Sequence, residues 1–139
     1  MADPVSAIRA LLLADAGVAG AVSGRVFGGE LPAEEARAMP RAALVVSASG
    51  GVPLAADTYV EHDSLRFDVF AYGATPPEAA ALLELASLVL RRARRGVWAG
   101  LLVHWVQPAG GYSDGRDPQL AWPRAFRSFQ IAHSLEPAL

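Results

Sequence analysis

The stretch TPPEAAALLELASLVLRRARRG, Thr75 to Gly96, decides how the rest of the chain is read. Thr75 is an N-cap residue, Pro76 carries the φ that a first helical turn needs, and Glu78 is spaced to reach back to the cap's own N–H, so the three predict a capping box. Leu82, Leu85, Leu88 and Val89 recur at three- and four-residue steps, and Leu83 and Leu90 widen the apolar face beyond a narrow seam. Arg91, Arg92, Arg94 and Arg95 place positive charge at the negative pole of the macrodipole, and Gly96 suits the left-handed C′ position. A helix with so broad an apolar face needs a sheet to cover, with Leu82, Leu85 and Val89 expected to face it.

Upstream, Asp3 and Pro4 repeat the cap-then-proline device ahead of Val5, Ile8, Leu11, Leu12 and Leu13, which predicts a first helix to about Ala14. A short apolar piece, Val18 to Val22, leads to Gly24-Arg25-Val26-Phe27-Gly28-Gly29, a brief extended segment between glycine turns. Leu31 to Met39 is weakly patterned and reads as a loop with room for one helical turn. Ala42 to Ala48, with Leu44, Val45 and Val46, reads as a strand buried on both faces. From Thr58 to Tyr72, Leu65, Phe67, Val69 and Ala71 alternate with Arg66, Asp68, Phe70 and Tyr72, giving a core face and a mixed face. Glu61, His62 and Asp63 interrupt that pattern, as a bulge or as a hairpin tip whose other arm is Thr58 to Val60. Leu101 to Val106 is a strand that Pro108 to Gly111 is expected to close, a turn-rich loop follows over Gly110 to Pro118, and the last strand spans about Arg124 to Ser134. The order predicts an α+β domain: a mostly antiparallel sheet of about four strands, with the N-terminal helix and the central helix packed on one face.

A length of 139 residues fits one domain, 1–139, with enough chain for a core. Without cysteine, that core has no disulfide or thiolate metal site to assist it. Hydrophobic residues make up 53% and charged residues 19%, against about 45–50% and about 25% in ordinary globular domains, which points to apolar surface covered by a partner. A formal charge of −2 argues against a whole-domain nucleic-acid footprint. Neither a secretory signal nor an apolar run of the roughly 20 residues needed to span a bilayer is visible, so no membrane partner is expected.

Motifs for chemistry are lacking. His62, His104 and His133 stand on or beside strands with no paired spacing, and are read as ordinary strand or turn residues before metal ligands. No GxSxG elbow, phosphate-cradling loop or HExxH occurs, so no enzyme and no cofactor is expected. Asp63 with Asp68 and Glu34 with Glu35 are read as solvated acids. The cluster Arg91, Arg92, Arg94 and Arg95 exceeds what capping requires and is a candidate patch for an acidic partner or for DNA, against the alternative of a solvated helix end. Trp122, in the turn-rich sequence Ala-Trp-Pro-Arg, is the better contact candidate among the tryptophans, and with Tyr112, Asp114 and Arg116 it makes the candidate subunit or partner interface.

The N-terminal helix, the Gly24-Arg25-Val26-Phe27 turn, the Pro40-led strand, the strand around Leu65 to Tyr72, the proline-capped helix and the two closing strands together resemble the tail terminator, or tail completion, family of long-tailed bacteriophages and gene transfer agents. The resemblance covers nearly the whole chain and carries no catalytic motif. It implies a virion structural protein at the head–tail junction, made in the host cytoplasm. It further implies a homohexameric ring that caps the tail tube, ends its polymerisation and meets a head-side connector or stopper protein, with DNA passing through the lumen without sequence-specific binding. Two other readings stand beside it: a head-closure or other connector protein, and a small-molecule-binding or enzymatic α+β domain, which would need a convergent polar pocket.

Overall fold

A computed structural model describes residues 3–50 and 62–137. Asp3 caps the first helix, α1 (Pro4–Ala14), by accepting from the Ser6 amide, and Asp15 caps the next, α2 (Ala16–Val22), by accepting from the Val18 amide. The helices meet at 95°, each driving apolar residues inward: Ala7, Ile8, Leu11 and Leu12 from α1, Val18 and Val22 from α2. The glycine-flanked segment forms β1 (Val26–Gly28), followed by a single helical turn, α3 (Ala33–Ala36). Two long strands then pair in antiparallel fashion, β2 (Ala43–Gly50) and β3 (His62–Tyr72). The first half of β2 is buried on both faces, with Ala43, Leu44, Val45 and Val46 all enclosed, but the expectation fails beyond it, where Ala48 and Ser49 are exposed.

The central helix is α4 (Pro76–Arg91). Thr75 Oγ1 accepts from the Glu78 amide, while the Glu78 carboxylate bonds the Ala74 amide, one residue ahead of the expected cap N–H. Gly73 is required just before it, because a Cβ there would stand 2.7 Å from the Ala79 nitrogen. Three strands complete the chain: β4 (Gly96–Trp98), β5 (Leu101–Arg116) and β6 (Pro123–Pro137).

The sheet has six strands in the order β1-β2-β3-β6-β5-β4, and only β1–β2 is parallel. The expectation of about four strands left out the two three-residue edges: β1 was read as a brief extended segment but not as part of the sheet, and β4 was not read at all, each being too short to show periodicity. It also ended β5 too soon. Gly110 and Gly111, at φ 86° and 72°, form a bulge that shifts register while the ladder continues to Arg116 opposite Pro123. His62 and Asp63 belong to β3 and pair in register with Ser134 and His133, so no bulge falls between them; Glu61 and the arm Thr58 to Val60 lie outside the described residues.

α1, α2 and α4 share one face of the sheet. Their apolar residues join Leu44, Val46, Phe67, Val69, Ala71, Val103, Val106, Phe129 and Ile131 in a single core. On α4 the buried line is Ala79, Leu83, Ala86 and Leu90, with Leu82 beside it; Leu85 and Val89 are half-buried on its flank. That rotates the helix from the expected orientation, because α1 and α2 also need covering and the leucine-rich flank serves them: Leu85 reaches Gly17, and Val89 lines a groove with Leu11. The helix also stops earlier than expected. Arg92 is its C-cap, Arg94 and Arg95 lie beyond it, and Gly96 opens β4 instead of taking the left-handed C′ conformation.

Leu83→Ala should therefore destabilise the domain by about 2–5 kcal/mol, the range for a large-to-small change in a closed core, and Leu85→Ala by less. Urea unfolding midpoints of the two variants check the order; a larger loss for Leu85→Ala would mean the helix is rotated.

Candidate docking interface

The face of the sheet that carries no long helix is formed by the alternate residues. Phe70 stacks on Phe126 with ring centroids 5.5 Å apart, and Tyr72 meets Trp122 edge-on at 6.3 Å. Further along the ladder, away from Tyr72, Asp68 accepts a short hydrogen bond from Ser128 Oγ (2.5 Å), and Gln130 donates to Ser64. At the end nearest β1 this face opens into a groove of about 280 Å³ lined by Leu31, Val45, Phe70, Tyr72, Leu120 and Trp122, with Glu30 and Arg124 as its charged members. Small-molecule sites run from about 300 to 1,000 Å³ and gather several polar groups, so an open groove of this size is better matched to an inserted side chain.

One wall is the β5–β6 turn, and Asp117 organises it. Its Oδ1 accepts from the Gln119 and Leu120 amides, both at 2.8 Å, and its Oδ2 accepts from Arg124 at 3.1 Å. Burial raises the Asp117 carboxyl, but those two amides and the Arg124 charge outweigh it and leave the pKa below the ordinary value. Arg124 also lies 5.0 Å over the Phe70 ring, so its charge is already engaged. The turn is held in shape and presents Leu120 at 56% exposure beside Trp122.

The opposite wall, Leu31 and Ala36, depends on α3. Glu35, read from sequence as a solvated acid, is buried and accepts from Arg41 Nε and Nη2, each at 2.7 Å, with Arg25 at 3.6 Å. Arg25 in turn donates to the Ala42 carbonyl, so the arginine of the Gly24-Arg25-Val26-Phe27 turn ties the turn, α3 and the start of β2 together. The Arg41 hydrogen bond lowers the Glu35 pKa, against a smaller effect of burial.

The four residues expected to form one interface are divided by the fold. Trp122 lies in the groove. Arg116 is at the base of the turn, donating to the Ala121 carbonyl at 3.0 Å. Tyr112 and Asp114 point to the helix side of the hairpin, where the Tyr112 hydroxyl donates to Asp114 and Arg127 covers the Tyr112 ring at 5.1 Å. Their period along β5 could not be counted because the Gly110–Gly111 bulge resets it. Leu31, Phe70, Tyr72 and Leu120 were not anticipated as groove residues; the alternation of Phe70 and Tyr72 opposite Phe67 and Val69 was the signal for an aromatic second face. Arg91, Arg92, Arg94 and Arg95 are all exposed and make no ion pair with a described residue. Arg92 and Arg94 line a shallow groove with Leu11, Asp15 and Trp98 on the helix side, and the neighbouring β4 residue Val97 is 57% exposed.

Of the histidines, His133 is buried with Nδ1 2.7 Å from the Ser134 carbonyl. Among the described residues no three His, Asp or Glu side chains gather as a metal site would require.

No protein-family model matches the chain, and no curated protein sequence does. Solved structures do. A chain from an assembly described as the "Virion of native gene transfer agent (GTA) particle" superimposes with a TM-score of 0.68 at 19% identity, covering 94% of this chain and 94% of that one. At that identity the likeness is one of fold, and it extends over nearly the whole of both chains.

Glu35→Gln should lower the melting temperature at neutral pH by removing the charge that Arg41 and Arg25 share. A carboxylate whose folded pKa is depressed contributes stability above its unfolded value, near 4.5, and loses that contribution as pH falls through the folded pKa. Melting curves should accordingly converge for wild type and variant in acid; a gap that persists there would mean the carboxylate charge is not what matters. At the turn, Asp117→Ala should cost about 1–3 kcal/mol, as expected for hydrogen bonds to a charged acceptor, while far-UV circular dichroism keeps the native signal.

Proposed function

We propose that this chain is a structural subunit of a phage-like particle and, within that class, a tail terminator. In this reading copies of the chain form a homohexameric ring on the end of the tail tube. The ring stops addition of tube protein and offers its other side to a head-side connector or stopper at the head–tail junction, and DNA crosses the lumen without being read. The observation that carries the reading is the fold shared along 94% of both chains with a protein chain in a gene transfer agent virion. The choice of terminator within that class rests on the order of elements and on the Gly24-Arg25-Val26-Phe27 turn, which the Arg25 bonds make a structural joint. An aromatic groove with a fixed rim, together with exposed Val97 and Leu120, supports a role in contact with other subunits. The reading assigns the chain no catalytic step.

Native mass spectrometry of the purified chain, with and without tube protein, tests the ring: a hexamer in either condition is expected. Particles assembled without this chain should carry tails of uncontrolled length. Tails of normal length that fail to join heads would favour the head-closure reading instead, and a species that remains monomeric beside capped tubes would overturn the ring.

A further inference from the structure

The end of α4 passes the corner between α1 and α2, and a shallow groove of about 280 Å³ runs between them. Leu11, Ala14 and Asp15 line it from the corner, Val89, Arg92, Ala93 and Arg94 from the end of α4 and the segment after it, and Trp98 of β4 completes it. Its apolar part is anchored, since Leu11 belongs to the core and Val89, Ala93 and Trp98 pack against that core. It shares no lining residue with the aromatic groove on the other face of the sheet.

Its polar groups are unmatched within the chain. Arg92 and Arg94 are exposed, and neither makes an ion pair with a described residue. Asp15 lines the same groove, but its Oδ2 accepts from the Val18 amide and it stands outside ion-pair distance of both arginines. Trp98 Nε1 is enclosed and has no hydrogen-bond acceptor among the described residues. It lies beside the backbone that carries the arginines, 3.6 Å from the point that a Cβ on Gly96 would occupy. Folded proteins rarely retain a buried donor without an acceptor, and an oxygen from outside the chain can supply what is missing.

We propose that this groove docks an acidic segment of a partner protein, taking one glutamate or aspartate whose neighbours are aliphatic. The carboxylate sits between Arg92 and Arg94, where guanidinium groups bind it through paired N–H donors, and the aliphatic residues cover Leu11, Val89 and Trp98. Two arginines less one aspartate leave the groove one net positive charge, which a single carboxylate balances. A DNA duplex fits less well: its phosphates follow one another closely, Asp15 opposes them, and the apolar lining offers them nothing. One chain carries the whole groove, so the inference goes beyond the ring reading and stands or falls separately from it.

Isothermal titration of the full chain with a capped peptide alternating leucine and glutamate tests the site. Saturable one-to-one binding is expected. In proton–nitrogen correlation spectra the Trp98 indole signal, one of three in the chain, should move on adding peptide while those of Trp105 and Trp122 hold still. Arg94→Glu should weaken binding by about tenfold, as loss of a close charge pair at an interface does, whereas Arg37→Glu, the same charge change at an exposed site after α3, should leave it unchanged. Ala14→Glu puts a carboxylate of the chain's own into the groove at an exposed position and should compete with the peptide. Affinity should also fall as salt rises. The proposal is overturned by an absence of saturable binding, or by equal affinity for a peptide alternating serine and glutamate, which would reduce the site to bulk charge. Movement of the Trp122 signal in place of Trp98 would put the peptide in the aromatic groove and overturn it too. A short DNA duplex that binds through Arg94 where the peptide does not would assign the groove to nucleic acid instead.

Discussion

The β3–β6 ladder stacks aromatic side chains on both of its faces at once, fully buried under the helices on one and half-buried on the other, and the rest of the molecule is arranged around it. Residues from His62 to Tyr72 pair without a break with Ser134 to Arg124. On the helix side Phe67 stacks on Phe129 at 5.6 Å; on the other side Phe70 stacks on Phe126 at 5.5 Å. A slip of one residue would carry Arg66 and Asp68 under α4 and expose Phe67 and Phe129, so the two stacks fix the register more firmly than either alone.

That constraint reaches the groove directly. The turn carrying Leu120 and Trp122 continues β5 and β6, and Asp117 closes it with bonds that leave its backbone little freedom. The other wall hangs on Glu35, whose two arginines come from β2's approach and from the turn before β1. Both walls are therefore shaped before any partner arrives, which lowers the ordering cost of binding.

Charge is distributed according to the same division. Arg9, Arg25, Arg41, Arg66 and Arg124 are spent inside the subunit on carbonyls or carboxylates, and Arg9 on the Val26 carbonyl also blunts the β1 edge. Among the described residues, the arginines after α4 have no such partner. Capping can use charge only within the last turn, and the helix has ended by Arg92, so Arg94 and Arg95 lie beyond what the helix end can use.

Sequence alone determined the elements whose signal is local. Proline-led caps at Asp3 and Thr75 set two helix starts, strict alternation marked Leu65 to Tyr72, and the uniformly apolar Leu44 to Val46 announced a strand covered on both sides. Tertiary structure decided what depends on partners distant in the chain. The face α4 turns to the sheet was settled by α1 and α2 competing for its leucines, and the edges β1 and β4 exist because neighbours pair with them. Gly110 and Gly111, which spell a turn locally, became a bulge because β6 offered an uninterrupted row of partners. Glu35 looked solvated because an acid shows its burial only through the arginines that meet it, here six and ten positions away in sequence. The groove was the least legible feature of all: its lining is drawn from segments as far apart as Gly29 and Arg124, and no single element contains it.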